Sequence, residues 1–253
     1  MCIMAMAWRA HPRWRLILAG NRDETHARPA AALGRWDSHP SIIAGRDLQS
    51  GGTWLGVSDE GRCAIVTNRR GFGVAEPDRP SRGQLVAELL AGEGDFSDPA
   101  TAAIDELNPF NLVFIAQGEA HFLTNRPRAT RSVLTPGLYG LSNGALDEPW
   151  PKTLQLKAAL LDFLTHGGDT PDALFEALGS ETFPNAGIPP EYPSDIADEA
   201  AVSPVFIRNP VYGTRCSTVI AVDMDGHGTI TERRFDADGN ATGANGVSFR
   251  WDG

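Results

Sequence analysis

The chain of 253 residues carries 22 Lys and Arg against 32 Asp and Glu, a formal charge of −10. Its arginines are scattered among acidic neighbours, which argues against a nucleic-acid footprint and disfavours a basic patch for anionic lipid, while leaving room for a local positive pocket. No run approaches the ~18 apolar residues of a transmembrane segment, and three cysteines without a CxxC spacing make no disulfide framework and fit a reducing, cytoplasmic setting.

Cys2 follows the initiator Met1 and opens a short apolar run, with Pro12 in a turn before a second run, Leu16-Ile17-Leu18-Ala19. The pattern predicts a hairpin that returns Asn21-Arg22-Asp23-Glu24 to the start of the first strand, beside Cys2. If Met1 is removed, Cys2 unites a thiol with a free α-amine. Such groups ionise at about 8.5 and about 7.7–8.0, so nucleophile and base would both act near neutrality. Arg22 would favour a thiolate or grip a carboxylate, and Asp23 would orient the amine. The competing reading is a first strand that starts with a small buried cysteine and ends in a solvated turn. Residues 2–8 are too short and too closely followed by Arg9, His11, Arg13 and Arg15 for a secretory leader.

Residues 25–40 read as a loop containing His26, and residues 42–45 as a short strand. Residues 53–57 and 62–67 form a hairpin across Ser58-Asp59-Glu60-Gly61, with Cys63 in its core. That hairpin delivers Asn68, whose amide suits either an oxyanion or a turn. A helix follows from Ser81 or Arg82 to Leu90, ended by Gly92, and a shorter one over 100–107. Residues 110–116 and 120–124 form another hairpin, and 131–135 with 138–142 a third, across Pro136-Gly137 and ending at Asn143. Helices cover 151–166 and 170–179, with His166 in a last turn. The proline-bearing stretch 181–200 reads as a long loop over the sheet, a lid or a plain peripheral loop. Short strands are expected at 206–209, 215–222, 230–235 and 247–251. Asp223-Met224-Asp225-Gly226 lacks the ligand pattern of an EF-hand and is read as a turn, without metal. No GxGxxG fingerprint is present.

Met1-Cys2 with Gly20-Asn21-Arg22-Asp23-Glu24, Gly51-Gly52-Thr53-Trp54-Leu55-Gly56, Thr67-Asn68-Arg69, Asn108-Pro109-Phe110-Asn111-Leu112, Gly140-Leu141-Ser142-Asn143 and Tyr212-Gly213-Thr214-Arg215 occur in order along nearly the whole chain. In these motifs the sequence resembles the NRDE family, also called the transport and Golgi organisation protein 2 family. The resemblance implies an N-terminal-nucleophile hydrolase fold: one α+β domain over residues 1–253, a four-layer α/β/β/α sandwich of two mainly antiparallel sheets. Animal members are linked to haem trafficking and to lipid or coenzyme A metabolism.

The wider bile-salt and penicillin amide hydrolase superfamily implies roles for Cys2, Arg22, Asp23, Asn68, Asn143 and Arg215. The order Asn21-Arg22-Asp23 departs from its commoner Arg-Asn-x-Asp. The resulting expectation is a cysteine-dependent hydrolase of a non-peptide amide or related acyl bond on a small molecule, needing no cofactor. Cys2 would attack and its amine take the proton. Asn68 and Asn143 would donate hydrogen bonds to the oxyanion or the amine, Asp23 would hold the amine, and Arg22 and Arg215 would supply positive potential. The alternative is a haem-binding or haem-trafficking protein on the same scaffold, with axial donors among Cys2, His26, His121, Met4 and Met6 at no diagnostic spacing, and propionate partners among Arg22, Arg69 and Arg215.

Overall fold

Strand β1 (Cys2–Trp8) places Met4, Met6 and Trp8 on one face and Ile3, Ala5 and Ala7 on the other, all buried. Such a strand must be covered on both sides. β2 (Trp14–Thr25) returns antiparallel to it, setting Cys2 opposite Arg22 and Met4 opposite Gly20. In the computed structural model, which describes residues 2–98, 102–166, 170–183 and 203–252, this hairpin lies inside one of two antiparallel sheets.

One sheet has seven strands in chain order, β3 (Ala30–Trp36), β4 (His39–Asp47), β5 (Leu55–Ser58), β6 (Arg62–Asn68), β7 (Phe110–Ala116), β8 (Glu119–Thr124) and β9 (Thr130–Leu134). The other is completed by β10 (Gly137–Leu141), β11 (Tyr212–Asp223), β12 (His227–Phe235) and β13 (Ala241–Arg250), in the order β10-β1-β2-β11-β12-β13. Met4, Met6, Leu18, Cys63, Ile65, Val113 and Ile220 fill the layer between the sheets.

Helix α1 (Arg82–Ala91) covers the seven-stranded sheet through Leu85, Val86, Leu89 and Leu90. Ser81 caps it, its Oγ accepting from the Gly83 N–H at 3.2 Å, and Gly92 ends it in the left-handed region. Helices α2 (Pro151–Thr165) and α3 (Asp172–Leu178) cover the six-stranded sheet, where Ala5, Ala7 and Ala19 leave room for Leu156, Leu160 and Phe163. The architecture is the expected α/β/β/α sandwich. No helix among the described residues is long and apolar enough to cross a membrane.

Local expectations are corrected in several places. Residues 25–40 contain strand β3, and the short strand expected at 42–45 extends over His39–Asp47. The third hairpin does not form: β9 pairs with β8, and β10 crosses to the other sheet to pair with β1. Pro136 thus marks a passage between layers. The Tyr139 hydroxyl, donating to the Thr135 carbonyl at 2.7 Å, braces that corner. Of the helix at 100–107 the described part holds only a 3-10 turn, Ile104–Glu106, and no strand forms at 206–209. The last three strands are longer than expected. Most of the loop at 181–200 lies outside the described residues.

Candidate active site

Alternation along β2 divides the Asn21-Arg22-Asp23-Glu24 run between two faces. Arg22 faces the layer between the sheets together with Cys2, while Asn21 and Asp23 face the helices. Asn21 is an anchor: its amide donates to the carbonyls of Leu178 and Val205, each at 2.9 Å, and its Oδ1 accepts from Ser217 Oγ at 2.7 Å. Asp23 Oδ1 accepts from Thr214 Oγ1 at 2.7 Å. Burial pushes the Asp23 carboxyl above its ordinary value, partly opposed by the positive charge of Lys152, the Thr214 bond and Arg22. Lys152, fully buried in the first turn of α2, donates to Ser203 Oγ at 3.0 Å. Glu24 remains at the rim, accepting from the Thr25 N–H at 2.8 Å.

Arg22 is held in place from two sides. Its Nη2 meets Asp47 Oδ2 at 3.3 Å, and its guanidinium lies 4.2 Å from the centroid of the Trp54 ring. Asp47 also receives Arg28 Nε at 2.6 Å and the N–H groups of Gln49 and Ser50. Cys2 is partly exposed at the mouth of a cleft of about 100 Å³ whose walls include Arg22, Asp23, Trp54, Asn68 and Arg82. Arg82 comes from the first turn of α1 and donates to the Pro109 carbonyl at 3.1 Å.

The two asparagines diverge. Asn68 lines the cleft, whereas Asn143 is fully buried outside it and donates through Nδ2 to the Asn68 carbonyl at 2.8 Å. Beside it, Ser142 Oγ donates to the Cys2 carbonyl at 3.0 Å, and Thr67 Oγ1 to the Ser142 carbonyl at 2.7 Å. The two sheets are therefore laced together next to Cys2. Arg215 is also set apart. It is the extra residue where Thr214 faces Asp23 and Cys216 faces Arg22, a bulge that re-aims its side chain. Its Nη1 donates to the carbonyls of Thr25 and Arg28 at 2.7 and 3.0 Å, and it opens on a second hollow behind Arg22 and Trp54.

The structure thus joins Cys2, Arg22, Asp23 and Asn68 in one cleft, with Asn143 supporting a wall and Arg215 behind it. The donors named for haem are dispersed. Met4 and Met6 are in the core, His121 stacks on Phe114 at 4.8 Å in the other sheet, and the His26 ring lies 3.0 Å from the Asn209 carbonyl. Asp223, Asp225 and His227 do lie close together. Asp223 Oδ1 there accepts two backbone N–H groups at 2.9 Å, the geometry of a turn.

Sequence reasoning gave no functional weight to Trp54, Asp47, Arg82 and Lys152. Trp54 lies within the Gly51–Gly56 motif, the signal that could have found it. The other three reach the site through packing between distant segments.

A family model described as Transport and Golgi organisation 2 matches residues 1–237. The transport and Golgi organization protein 2 homolog of Bos taurus is 37% identical over 258 residues, covering 92% of each chain. The homolog of Homo sapiens is 34% identical with the same coverage. Among solved structures, the C2A mutant of the conjugated bile acid hydrolase from Clostridium perfringens superposes with a TM-score of 0.52 at 8% identity, over 100% of this chain and 97% of that one. At that identity the likeness shows the fold alone.

Proposed function

The chain belongs to the Transport and Golgi organisation 2 family, and on that footing we propose that it is an N-terminal cysteine hydrolase of a non-peptide amide or related acyl bond in a small molecule. The observation that carries this reading is the placement of Cys2 directly opposite Arg22 at the mouth of a cleft that Asp23 and Asn68 also line. The hydrolase fold of the bile acid enzyme is consistent with it.

With Met1 removed, the Cys2 α-amine takes the thiol proton, and the sulfur forms a bond to the substrate carbonyl carbon. The carbonyl π electrons move onto oxygen, where the Asn68 amide stabilises the charge and Arg22 adds positive potential. Collapse breaks the C–N or C–O bond, the amine returns its proton to the leaving group, and water hydrolyses the thioester. Asp23, buried behind the strand, fixes the position of the amine, and Asn143 holds the Asn68 backbone. Arg215 adds positive charge from the adjoining hollow. Haem carriage is the less favoured reading, because Cys2 and His121 line different hollows.

The test begins with the intact mass of untagged protein. Loss of Met1 is expected, followed by an acyl-enzyme adduct on Cys2 in a screen of amides and esters, absent in Cys2→Ala. Retention of Met1 in two expression hosts, or turnover undiminished in Cys2→Ala, would overturn the proposal.

A further inference from the structure

Pairing draws one row across the six-stranded sheet: Cys2 opposite Arg22, Arg22 opposite Cys216, and Cys216 opposite Arg234. Residues directly opposite share a face, so this row looks into the layer between the sheets. Behind Cys2 it floors a separate hollow of about 80 Å³, lined by Arg22, Arg215, Arg234, Glu232, Cys216 and Trp54 among others. Trp54 and Arg22 line both this hollow and the Cys2 cleft, so the two spaces adjoin.

Three guanidinium groups meet at this hollow, and each retains a buried N–H without a hydrogen-bond partner: Arg22 Nη1, Arg215 Nε and Arg234 Nε. Arg22 is only 5% exposed, so its Nη1 has no recourse to bulk water. Several arginines elsewhere have carboxylates at ion-pair distance, as in Arg35–Asp59, Arg208–Glu181 and Arg233–Asp172. Among the described residues, Arg215 and Arg234 have none, and the Arg215 bonds go to neutral carbonyls.

Glu232 stands in the same hollow beside Cys216 but is engaged, its Oε1 accepting from the Leu33 N–H at 3.0 Å. With Arg22 already paired to Asp47, positive charge still exceeds negative around a space suited to one small anionic group. A chain with a net charge of −10 gathers uncompensated guanidinium groups here, against its general trend.

We infer that this hollow is a subsite for an anionic group, a carboxylate or a phosphate, carried by the same molecule whose carbonyl meets Cys2. The inference deepens the hydrolase reading and rests on it for the reaction, but not for the binding of the anion. Strand spacing of about 4.8 Å sets the anion about 10 Å from the Cys2 sulfur. The substrate is then an acyl compound with its charge several bonds away from the scissile carbonyl. Trp54 lies along the intervening chain, and Arg234 is a specificity residue that makes no contact with the reacting atoms.

Two thiol probes of equal reach test this on the full-length untagged protein: 6-maleimidohexanoic acid, and the neutral N-hexylmaleimide. Peptide mapping reads the labelling rate at Cys2, with each rate referred to a free thiol. The carboxylate probe is expected to be favoured about tenfold, the scale of one charge-assisted hydrogen bond. Arg234→Gln should abolish that preference and leave the neutral rate unchanged. Inorganic phosphate should slow only the acid probe if the subsite accepts phosphate as well as carboxylate, and a preference indifferent to phosphate assigns the site to carboxylates alone.

Equal relative rates in the unaltered protein, or a preference that survives Arg234→Gln, would overturn the inference. Should both probes spare Cys2, melting in acetate and in phosphate decides. A Tm rise in either salt that is absent in Arg234→Gln supports the subsite, and identical behaviour of the two proteins rejects it. A preserved acid preference in a protein that never forms an acyl-enzyme would sink the hydrolase reading alone.

Discussion

Within the Asn21-Arg22-Asp23-Glu24 run, each side chain has a different task because neighbouring residues of a strand face opposite ways. Asn21 is the structural member. Replacing it by alanine strands the Leu178 and Val205 carbonyls and the Ser217 hydroxyl, so Asn21→Ala is expected to destabilise the fold by about 3 kcal/mol in urea denaturation. A loss below about 0.5 kcal/mol would contradict the anchoring role. Glu232 makes a second prediction. Burial raises its carboxyl above the ordinary 4.5. Between those values the folded protein binds more protons than the unfolded chain, so this group's contribution falls as pH rises through that window. Glu232→Gln keeps an oxygen for the Leu33 N–H and should flatten the fall in Tm across the window. Asp23, raised in the same direction, leaves a residual slope.

The elements of the site differ in how plainly the sequence announces them. The hairpins β1–β2, β5–β6 and β7–β8 combine buried runs with turn residues between them, and α1 has both a serine cap and a terminating glycine. These were legible. Strand β3, Ala-Ala-Ala-Leu-Gly-Arg-Trp, has no apolar alternation and depends on β4 for its pairing. β13 is built largely of small exposed residues on a sheet edge. The Arg215 bulge arises from register with β2, which no local signal specifies. A tighter constraint links Gly52 to α1. A Cβ on Gly52 would come within 2.2 Å of the Gly83 carbonyl carbon, so Gly52→Ala must displace the first turn of the helix that brings Ser81 and Arg82 to the cleft. The variant is expected to lose about 1–3 kcal/mol of stability and to alter labelling at Cys2. Unchanged melting and labelling would show that the turn yields freely.

At the scale of the whole molecule, the three thiols report on integrity. Cys63 is buried between the sheets, where burial pushes it up to about 12, and Cys216 is also raised well above its ordinary value. At pH 8 roughly one part in 10⁴ of a thiol near 12 is ionised, so iodoacetamide should modify only Cys2 in the folded protein and all three in urea. Native labelling of Cys63 would contradict the closed sandwich. The layered architecture was legible through family resemblance and the repeated hairpins. The grouping of Cys2 with Arg22 followed from one hairpin, whereas the burial of Asn143, the Lys152 charge behind Asp23 and the Arg234 side of the row depend on contacts between distant segments.

The interior place of β1 has a temporal consequence. Its hairpin with β2 is synthesised well before its neighbours in the sheet: its flanks are closed by β10 and β11, made more than a hundred residues later. Long-range pairing of this kind is slow, and unpaired strand edges invite association. Strand β1 is therefore made before both of the strands that enclose its hairpin and is among the last to be enclosed. Throughout translation, the Cys2 thiol and two open edges stand ready for a chaperone.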